Sequence, residues 1–376
     1  MTDHAPLMTL AEIRDRLDLG DSQMLEWLAT RANLVREVAR IKGRKGDSLQ
    51  AADREASMFA QKQIQCRVHG LDFDYVSEIV SLMIWHSKQI ECDELALDTF
   101  LDTNPVPQET LTEQLLTLTE IEAPRYDEFC RGSDAETVAC YLDRELEWLD
   151  QACEGLDAGG LALDLGCATG QITEALAKRF RTVRGYDISP AMIEHARNRT
   201  SWSDGVAFEV RDLDGEIPVE DGSVTLAVAN FGAASELRPD LLTEINRILR
   251  PGGRAFLSYY NRDALVNHWI YPWPATIHSH LNPYNDTLEV WSGDSVYTIR
   301  ARGESCASVR EQVEAAGMTA EICETYPTLQ PILPNFIVKN TRARAVFEIG
   351  QSLDAHLAKP EIGKGTYIIA VATKAG

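Results

Sequence analysis

The feature that most constrains the fold is a short apolar run that leads directly into a glycine-rich turn. Residues 162–170 read Ala-Leu-Asp-Leu-Gly-Cys-Ala-Thr-Gly, and a second apolar run ends at Asp187. Glycine lets backbone amides approach a ligand, and a carboxylate at the end of the next strand accepts from both ribose hydroxyls. The C-terminal part of the chain is therefore expected to form an α/β sheet that holds a nucleoside.

Length and composition narrow the remaining possibilities. A chain of 376 residues is too long for one ordinary core, which predicts two domains. The net charge of −22 argues against nucleic acid as a partner. We find no apolar run long enough for a membrane span and no signal peptide, so no membrane association is expected. The eight cysteines are scattered, which predicts free thiols in the cytoplasm.

The first block of the chain is predicted to be helical. Its apolar residues recur at spacings of three, four or seven: Leu10, Ile13, Leu17, Met24, Leu28, Val35, Val38 and Ile41. This pattern predicts one amphipathic helix approaching about 50 Å in length, which ends near the polar segment 43–48. Two further helices are predicted at 50–68 and 72–95. One of the three helices overhangs the others, which implies a bundle completed by a second copy.

The second block alternates strands and helices. Residues 96–125 are expected to be a linker with one short helix, and an amphipathic helix follows at 126–149. Strands are predicted at 161–166, 182–187, 206–211, 224–229, 254–260, 320–325 and 367–373. Alternation of this kind is typical of a parallel sheet covered by helices on both faces.

Five elements of the second block stand in a recognisable order: Leu163–Gly170, Tyr186–Met192, Val210–Leu213, Leu226–Phe231 and Arg250–Arg254. The block, about residues 126–376, resembles the class I S-adenosylmethionine-dependent methyltransferases, which implies a Rossmann-like seven-stranded α/β domain with S-adenosylmethionine as cofactor. The turn lacks the Gly-x-Gly-x-x-Gly spacing of an NAD site.

The resemblance also assigns cofactor contacts. Asp164 is expected to anchor the turn and reach the methionine part, while Asp187 takes the ribose and Asp212 the adenine amino group. Further contacts fall on Gly166, Cys167, Ala168, Gly170, Ile188, Met192, Leu213, Asn230 and Phe231. Gly166 and Gly170 permit close backbone approach, Ile188 and Leu213 sandwich the adenine, and Ala168 replaces a glycine that is frequent at this place.

The segment 259–291 is rich in aromatic residues and histidines, which predicts an aromatic-walled pocket for the methyl acceptor. The alternative is a small separate core beneath a long insertion. Candidate acceptor contacts are Tyr259, Tyr260, His268, Trp269, Tyr271 and Arg300. Arg300, like Arg302, is suited to a substrate carboxylate or to a solvated strand face. His278 and His280 have no Cys or carboxylate at ligand spacing, so no metal site is expected.

Basic residues of the first block recur at informative spacings. Arg31 and Lys42 are eleven residues apart, within about 20° of the same helix face, whereas Arg14 lies roughly 100° from that face. Ser87 and Glu91 share a face of the third helix. Together with Arg54 and Glu55, these residues resemble the active-site set of the all-α chorismate mutase family over about residues 8–95. The resemblance implies an intertwined homodimer in which Arg14 acts in the partner's site.

The residue types suit the rearrangement of chorismate, a dianion, to prephenate. Arginines clamp carboxylates, and Lys42 and residue 91 donate to the ether oxygen. Ala51 stands where many family members have Asp, and Glu91 where others have Gln. Glu91 must carry a proton to help, so we expect a mutase rate that declines as pH rises. The related isochorismate-pyruvate lyases share the basic residues, and Glu55 beside Arg54 favours the mutase.

The sequence thus predicts a bifunctional enzyme with three segments. A chorismate mutase-like helical domain (1–95) and a linker (96–125) precede a methyltransferase domain (126–376) that acts on a small, shikimate-derived acceptor. One alternative is a prephenate-dependent reaction like that of carboxy-S-adenosylmethionine synthase. The other is a helical block that serves only for dimerisation or ligand sensing.

Overall fold

The computed structural model describes residues 8–49, 51–99, 101–132, 136–199, 202–238, 240–268, 279–293, 295–333 and 344–376. The chain divides into two compact units. The first comprises Met1–Ala51 and Leu82–Asp102, and the second comprises Ala52–Ser81 and Thr103–Gly376. No helix within the described ranges is long and apolar enough to cross a membrane.

The first unit is built on the long helix α1, Leu10–Lys45. Thr9 caps its start by accepting a hydrogen bond from the Glu12 backbone amide, and Glu12 returns a contact to Thr9. Gly46 ends it with φ of 71°, a conformation that favours glycine. The prediction of one long helix is confirmed, since α1 is about 54 Å long at 1.5 Å per residue.

Helix α2 (Ala52–His69) belongs to the second unit. Helix α3 (Phe73–Leu95) starts in the second unit and, from Leu82 onward, belongs to the first. Within the first unit, contacts between α1 and α3 advance along both helices in the same direction. Arg31 meets Ser87, and Lys42 meets Glu91. The two helices therefore run in the same direction. Arg31 and Lys42 are eleven residues apart on α1, and their partners Ser87 and Glu91 are four residues apart on α3.

The second unit contains a seven-stranded sheet in the order β3-β2-β1-β4-β5-β10-β9. The strands are β1 Leu161–Leu165, β2 Thr182–Asp187, β3 Val206–Val210, β4 Val224–Ala229, β5 Leu249–Tyr260, β9 Met318–Tyr326 and β10 Tyr367–Lys374. The first five are parallel, and β10 pairs antiparallel with both β5 and β9. The predicted seven-stranded α/β domain is confirmed, although β5 starts earlier than expected.

Apolar clusters cover both faces of this sheet, as expected for a parallel sheet between helices. Strand β4 is buried at every position, which explains its continuous apolar sequence. The helices are α4 Gln108–Glu122, α5 Tyr126–Arg131, α6 Glu136–Cys153, α7 Gln171–Ala177, α8 Pro190–Asn198, α9 Ala233–Glu236, α10 Leu241–Ile248, α11 Leu265–His268, α12 Cys306–Ala315 and α13 Arg344–Leu357. Short 3₁₀ turns cover 123–125 and 330–332.

A second sheet, which is not predicted from the sequence, follows β5. Its three antiparallel strands are β6 Ser279–Asn282, β7 Thr287–Ser292 and β8 Ser295–Arg300. Helices α2 and α4 both contact β8. Leu118 of α4 packs in one cluster with Leu288 and Ile299, so the helix expected within a linker forms part of a compact subdomain.

Candidate functional sites

In the first unit, Arg31 of α1 is joined to α3. Its Nη1 donates to the Met83 carbonyl at 3.0 Å and to Ser87 Oγ. Ser87 Oγ in turn donates to the Met83 carbonyl at 2.6 Å. These contacts hold the half-buried guanidinium group in one orientation. An anion could therefore bind to it without first fixing the side-chain conformation.

One turn along α3, Lys42 and Glu91 form an ion pair. Lys42 Nζ lies 2.9 Å from Glu91 Oε2 and donates to the Leu49 carbonyl at 3.2 Å. Lys88 Nζ donates to the same carbonyl at 2.6 Å and is almost fully buried. Lys88 is a second ammonium group at this place, and the sequence does not single it out because its contact depends on the position of Leu49 rather than on a motif.

The structure thus brings together Arg31, Lys42, Ser87 and Glu91, which we call the helical cluster. Arg14 is exposed and lies seventeen residues before Arg31 on α1, about 25 Å along the helix axis. Arg54 and Glu55 lie at the start of α2 in the second unit, where Arg54 is exposed and Glu55 is buried.

In the second unit, the turn after β1 adopts the predicted tight conformation. Gly166 and Gly170 have φ of 79° and 85°, and the added Cβ of a larger residue at 170 would lie 3.2 Å from the Phe208 ring. Ala168 also has a positive φ of 44°, which explains why glycine suits this position. The amides of Gly166 and Cys167 donate to the Tyr186 carbonyl, which ties the turn to the end of β2.

Asp187 faces this turn from the end of β2. Its Oδ2 accepts from the Ala168 amide at 2.9 Å and its Oδ1 from the Ser189 amide at 2.8 Å. Burial raises the pKa of Asp187, and these two amides oppose that shift. Each carboxylate oxygen keeps a further lone pair, so the group is oriented and still able to accept from a diol.

The turn and Asp187 open into one large cavity, of about 1010 Å³, at the carboxyl edge of the sheet. Edges of this kind bind ligands in open α/β sheets. Most of the predicted cofactor residues line it: Gly166, Cys167, Ala168, Asp187, Ile188, Met192, Asp212, Leu213, Asn230 and Phe231. Gly170 shapes the turn without lining the cavity.

Asp164 is placed differently from these residues. It is fully buried at β1, where its Oδ2 accepts from Thr173 Oγ1 at 2.6 Å, and it does not line the cavity. Burial raises its pKa to about 7. Its contact with the methionine part of a cofactor therefore stays a prediction from resemblance.

The cavity has aromatic walls, but only part of them comes from the segment that the sequence suggested. Tyr260, His280 and Trp291 line it, whereas Tyr259 is buried in the core of the seven-stranded sheet and does not line the cavity. Tyr126, Phe129, Tyr141 and Tyr367 come from outside that segment. The side chain of His268 and all of Trp269, Tyr271, Trp273 and His278 lie outside the described residues.

Tyr141 and Tyr367 stack with ring centroids 4.1 Å apart, and Phe231 lies 5.7 Å from each of them. The Phe231 amide donates to the buried Glu145 at 3.0 Å, which supports the positive φ of 50° at Phe231. Burial raises the pKa of Glu145. The sequence does not single out Glu145 and Tyr367, because neither belongs to a recognisable motif.

Arg300 lines the cavity, and its guanidinium group is held by groups of the protein, so its role with a substrate carboxylate stays a prediction. Its Nη1 and Nη2 donate to the two carboxylate oxygens of Asp214 at 2.8 and 2.7 Å, and its Nε donates to the Glu236 carbonyl at 2.6 Å. All three contacts lie within the protein. Arg300 therefore joins β8 to the loop after β3 and to α9.

Comparison with known proteins agrees with both blocks. Residues 13–92 match the family described as chorismate mutase type II, and residues 162–253 match the family described as methyltransferase domain. Demethylmenaquinone methyltransferase of Tropheryma whipplei (strain Twist) is 32% identical over 131 residues, covering 34% of this chain and 54% of that protein. Ubiquinone biosynthesis O-methyltransferase of Pseudomonas aeruginosa (strain LESB58) is 34% identical over 121 residues, covering 31% of this chain and 51% of that protein.

The chain therefore spans about half the length of the curated relatives that it matches. Among solved structures, one described as the DhpI-SAH complex is 16% identical, with a TM-score of 0.45, and covers 72% of this chain and 99% of that one.

Proposed function

We propose that this chain, which joins a chorismate mutase type II domain to a methyltransferase domain, is a bifunctional enzyme. The helical domain rearranges chorismate to prephenate. The α/β domain transfers a methyl group from S-adenosylmethionine to a small, shikimate-derived molecule. The proposed functional segments are the helical domain 1–95, the connecting segment 96–125 and the methyltransferase domain 126–376.

The observation that supports methyl transfer most strongly is the placement of Asp187 opposite the Gly166–Gly170 turn on one cavity. Asp187 accepts from the ribose of the cofactor, and Asp212 and Leu213 contact its adenine. Phe231, Tyr141 and Tyr367 offer aromatic faces, which attract a positively charged sulfonium group. The cavity volume leaves room for an acceptor beside the nucleoside.

A calorimetric titration tests the cofactor part of this proposal. S-adenosylhomocysteine, the demethylated product, should bind to the full chain with a stoichiometry of one per chain. NAD should not bind, since the turn lacks the spacing that holds a pyrophosphate. Binding of NAD in place of S-adenosylhomocysteine would contradict the assignment.

The helical cluster supports the mutase activity. Arg31 clamps a carboxylate of chorismate, and Lys42 donates to the ether oxygen on which negative charge develops in the transition state. Lys88 adds a nearby positive charge at Leu49. No metal and no covalent intermediate are needed for this rearrangement, because positioning and electrostatic stabilisation supply the rate.

A homodimer completes this site in our proposal. The leucines Leu10, Leu17 and Leu25 of α1 are each 61–64% exposed and lie within about 80° of one another around the helix, an apolar stripe suited to a second copy of α1. Arg14 is too far along α1 to reach Arg31 of its own chain. Equilibrium sedimentation should give a dimer, and Leu17→Glu with Leu25→Glu should yield monomers without mutase activity.

Glu91 places a carboxylate beside the group that is proposed to donate to the ether oxygen. Its Oε2 lies 2.9 Å from Lys42 Nζ, and a negative charge here repels the ether oxygen. Glu91→Gln removes this charge and should therefore raise the rate of chorismate loss, followed by absorbance. A Glu91→Gln rate equal to or below the parent rate would contradict this role of Glu91.

Three alternative functions are compatible with the same two domains, and each predicts a different product. In a carboxy-S-adenosylmethionine synthase-like reaction, prephenate would donate a carboxylate to the bound cofactor, and the mass increase would appear on the cofactor. A helical domain that only dimerises or senses a ligand would leave chorismate unchanged. An isochorismate-pyruvate lyase would release pyruvate. A cytoplasmic location belongs to the proposal, given eight free thiols.

Fusion of the two domains suggests that the second reaction uses a product descended from the first. Incubation of the full chain with chorismate and S-adenosylmethionine, followed by mass spectrometry, tests the direct form of this link. A methylated product would support it. Prephenate alone, without any methylated species, would break this link.

A further inference from the structure

Glu236 is a carboxylate on the cavity wall that no sequence motif singles out. It ends the short helix α9, which follows β4 at the carboxyl edge of the sheet. Its exposed surface faces the cavity. Tyr260 Oη, from the end of β5, donates to Glu236 Oε1 at 3.2 Å.

The backbone that carries Glu236 is held from three sides. Arg300 Nε donates to the Glu236 carbonyl at 2.6 Å, and Arg302 Nη2 donates to the Ala234 carbonyl at 3.1 Å. Ser235 Oγ accepts from the Tyr260 amide at 2.9 Å. The carboxylate and the phenol are therefore oriented relative to each other before any ligand enters, a condition for efficient catalysis.

Gly232 is the position that lets the Tyr260 ring lie against α9. It has φ of 84°, and an added Cβ would approach the Tyr260 ring to 2.7 Å. A side chain at this place would displace the ring from Glu236. The sequence between β4 and α9 is thus adapted to bring Tyr260 and Glu236 together.

The charged and titratable groups around Glu236 favour a carboxyl group that gains and loses a proton near neutrality. Burial raises its pKa to about 7, and the charge of Asp187 acts in the same direction. The hydrogen bond from Tyr260 and the charge of Arg300 lower it. Tyr126 and Tyr367 also face this part of the cavity; burial raises the pKa of both, and the negative charge of Glu236 adds to the rise.

The described wall of the cavity carries six cationic side chains, and a carboxylate of the protein pairs with each. The pairs are Arg125–Glu122, Arg131–Asp143, Arg199–Asp127, Arg211–Glu209, Arg300–Asp214 and Lys178–Glu174. An anionic acceptor would approach cations that each already have a carboxylate beside them, whereas an uncharged ring would bind against the aromatic walls without that repulsion.

We propose that Glu236 accepts the proton from the hydroxyl group of an uncharged hydroxyaromatic methyl acceptor, with Tyr260 positioning the carboxylate. This inference rests on the proposed methyl transfer. The acceptor oxygen forms a bond to the methyl carbon, the methyl–sulfur bond breaks, and its electron pair stays on sulfur. The hydroxyl proton moves to Glu236, so the products are a methyl ether, S-adenosylhomocysteine and a protonated carboxyl group.

The test begins with acceptors that differ in charge. The full chain is incubated with S-adenosylmethionine and, separately, catechol, 4-hydroxybenzamide or 4-hydroxybenzoate, and methyl ethers are measured by mass spectrometry. The two uncharged compounds should be methylated, and 4-hydroxybenzamide should exceed 4-hydroxybenzoate in kcat/KM by about tenfold or more. Failure to methylate either uncharged compound by a chain that binds S-adenosylhomocysteine overturns this inference and leaves the cofactor assignment standing.

The Glu236→Gln variant then tests the proton acceptor. Its kcat should fall by about 100-fold or more, the usual contribution of a general base, with the affinity for S-adenosylhomocysteine unchanged. In the parent, kcat should rise with pH through about 7, and this rise should vanish in Glu236→Gln. Tyr260→Phe should move the midpoint to higher pH, because it removes the hydrogen bond that lowers the pKa of Glu236.

Glu128→Gln serves as the matched control, since Glu128 is an exposed carboxylate on the rim of the same cavity. It should retain the parent kcat and pH profile. A Glu236→Gln variant that keeps kcat within threefold of the parent, or that keeps the same pH profile, would contradict the proposal.

Discussion

The helical cluster and the cavity of the α/β domain differ in how their charged side chains are arranged. In the cluster, the Arg31 guanidinium donates to the Ser87 hydroxyl and to the Met83 carbonyl, and the ammonium groups of Lys42 and Lys88 both donate to the Leu49 carbonyl. On the described cavity wall, cations are paired with carboxylates, and Glu236 lies beside a phenol. A dianionic ligand suits the first arrangement, and a sulfonium with an uncharged acceptor suits the second.

The largest effect is expected for the charge of the helical cluster. Arg31→Ala should lower the mutase rate by about 100-fold or more, because a preorganised positive group is lost from a site that binds a dianion. The measurement is the absorbance change on chorismate loss. Arg36→Ala, an exposed arginine of the same helix that contacts Asn33, is the control and should keep the parent rate.

The second prediction concerns the stability of the α/β domain rather than its ligands. Since burial raises the pKa of Asp164 from 3.8 to about 7, its protonated form stabilises the fold below pH 4. This contribution is lost as pH rises through 7. Between pH 5 and pH 8 it amounts to about 2–3 kcal/mol, and Asp164→Asn should shrink the difference in unfolding free energy between these pH values by that much.

Urea unfolding of the chain without added ligand, at pH 5 and pH 8, gives this difference. Asp187 and Glu236 also have raised pKa values, so some pH dependence should remain in the variant. A variant with the same dependence as the parent would show that Asp164 is not buried as described.

Asp187→Asn should weaken binding of S-adenosylhomocysteine by about tenfold or more, because charge-assisted hydrogen bonds to the ribose become neutral ones. Calorimetry at pH 7 measures the change. Asp204→Asn removes an exposed carboxylate of the same domain and should leave the affinity unaltered. An unchanged affinity in Asp187→Asn would place the ribose elsewhere in the cavity.

The smallest effect is expected for Ala168. Its φ of 44° is higher in conformational energy for a residue with a Cβ than for glycine. Ala168→Gly should raise the unfolding free energy by about 1 kcal/mol or less while the affinity for S-adenosylhomocysteine is kept. A loss of stability would show that the flexibility gained by the unfolded chain exceeds the relief of strain.

The sequence predicts those parts of the molecule that depend on local pattern. The strand ending at Leu165, the turn to Gly170 and the carboxylate at Asp187 are recognisable because adjacent residues form them. The long helix α1 follows from its repeating apolar positions. The helical cluster follows from the angular spacing of Arg31 and Lys42 on one helix and of Ser87 and Glu91 on another.

The parts that the sequence does not predict depend on contacts between distant residues. The role of Arg300 is decided by Asp214, and that of Glu236 by Tyr260, neither of which is a neighbour in sequence. The three-stranded sheet β6–β8 lies in a segment whose aromatic content indicates a pocket wall as readily as a sheet. Tyr259 and Tyr260 are adjacent in sequence, but alternation along β5 puts only Tyr260 on the cavity.

The most direct test of two separate sites is a crossed experiment on the full chain. Chorismate loss and S-adenosylhomocysteine binding are measured for the parent, Arg31→Ala and Asp187→Asn. We expect Arg31→Ala to lose mutase activity and to keep its affinity for S-adenosylhomocysteine. We expect Asp187→Asn to keep mutase activity and to bind S-adenosylhomocysteine more weakly. Parent protein that leaves chorismate unchanged, or an Arg31→Ala variant as active as the parent, would contradict the account.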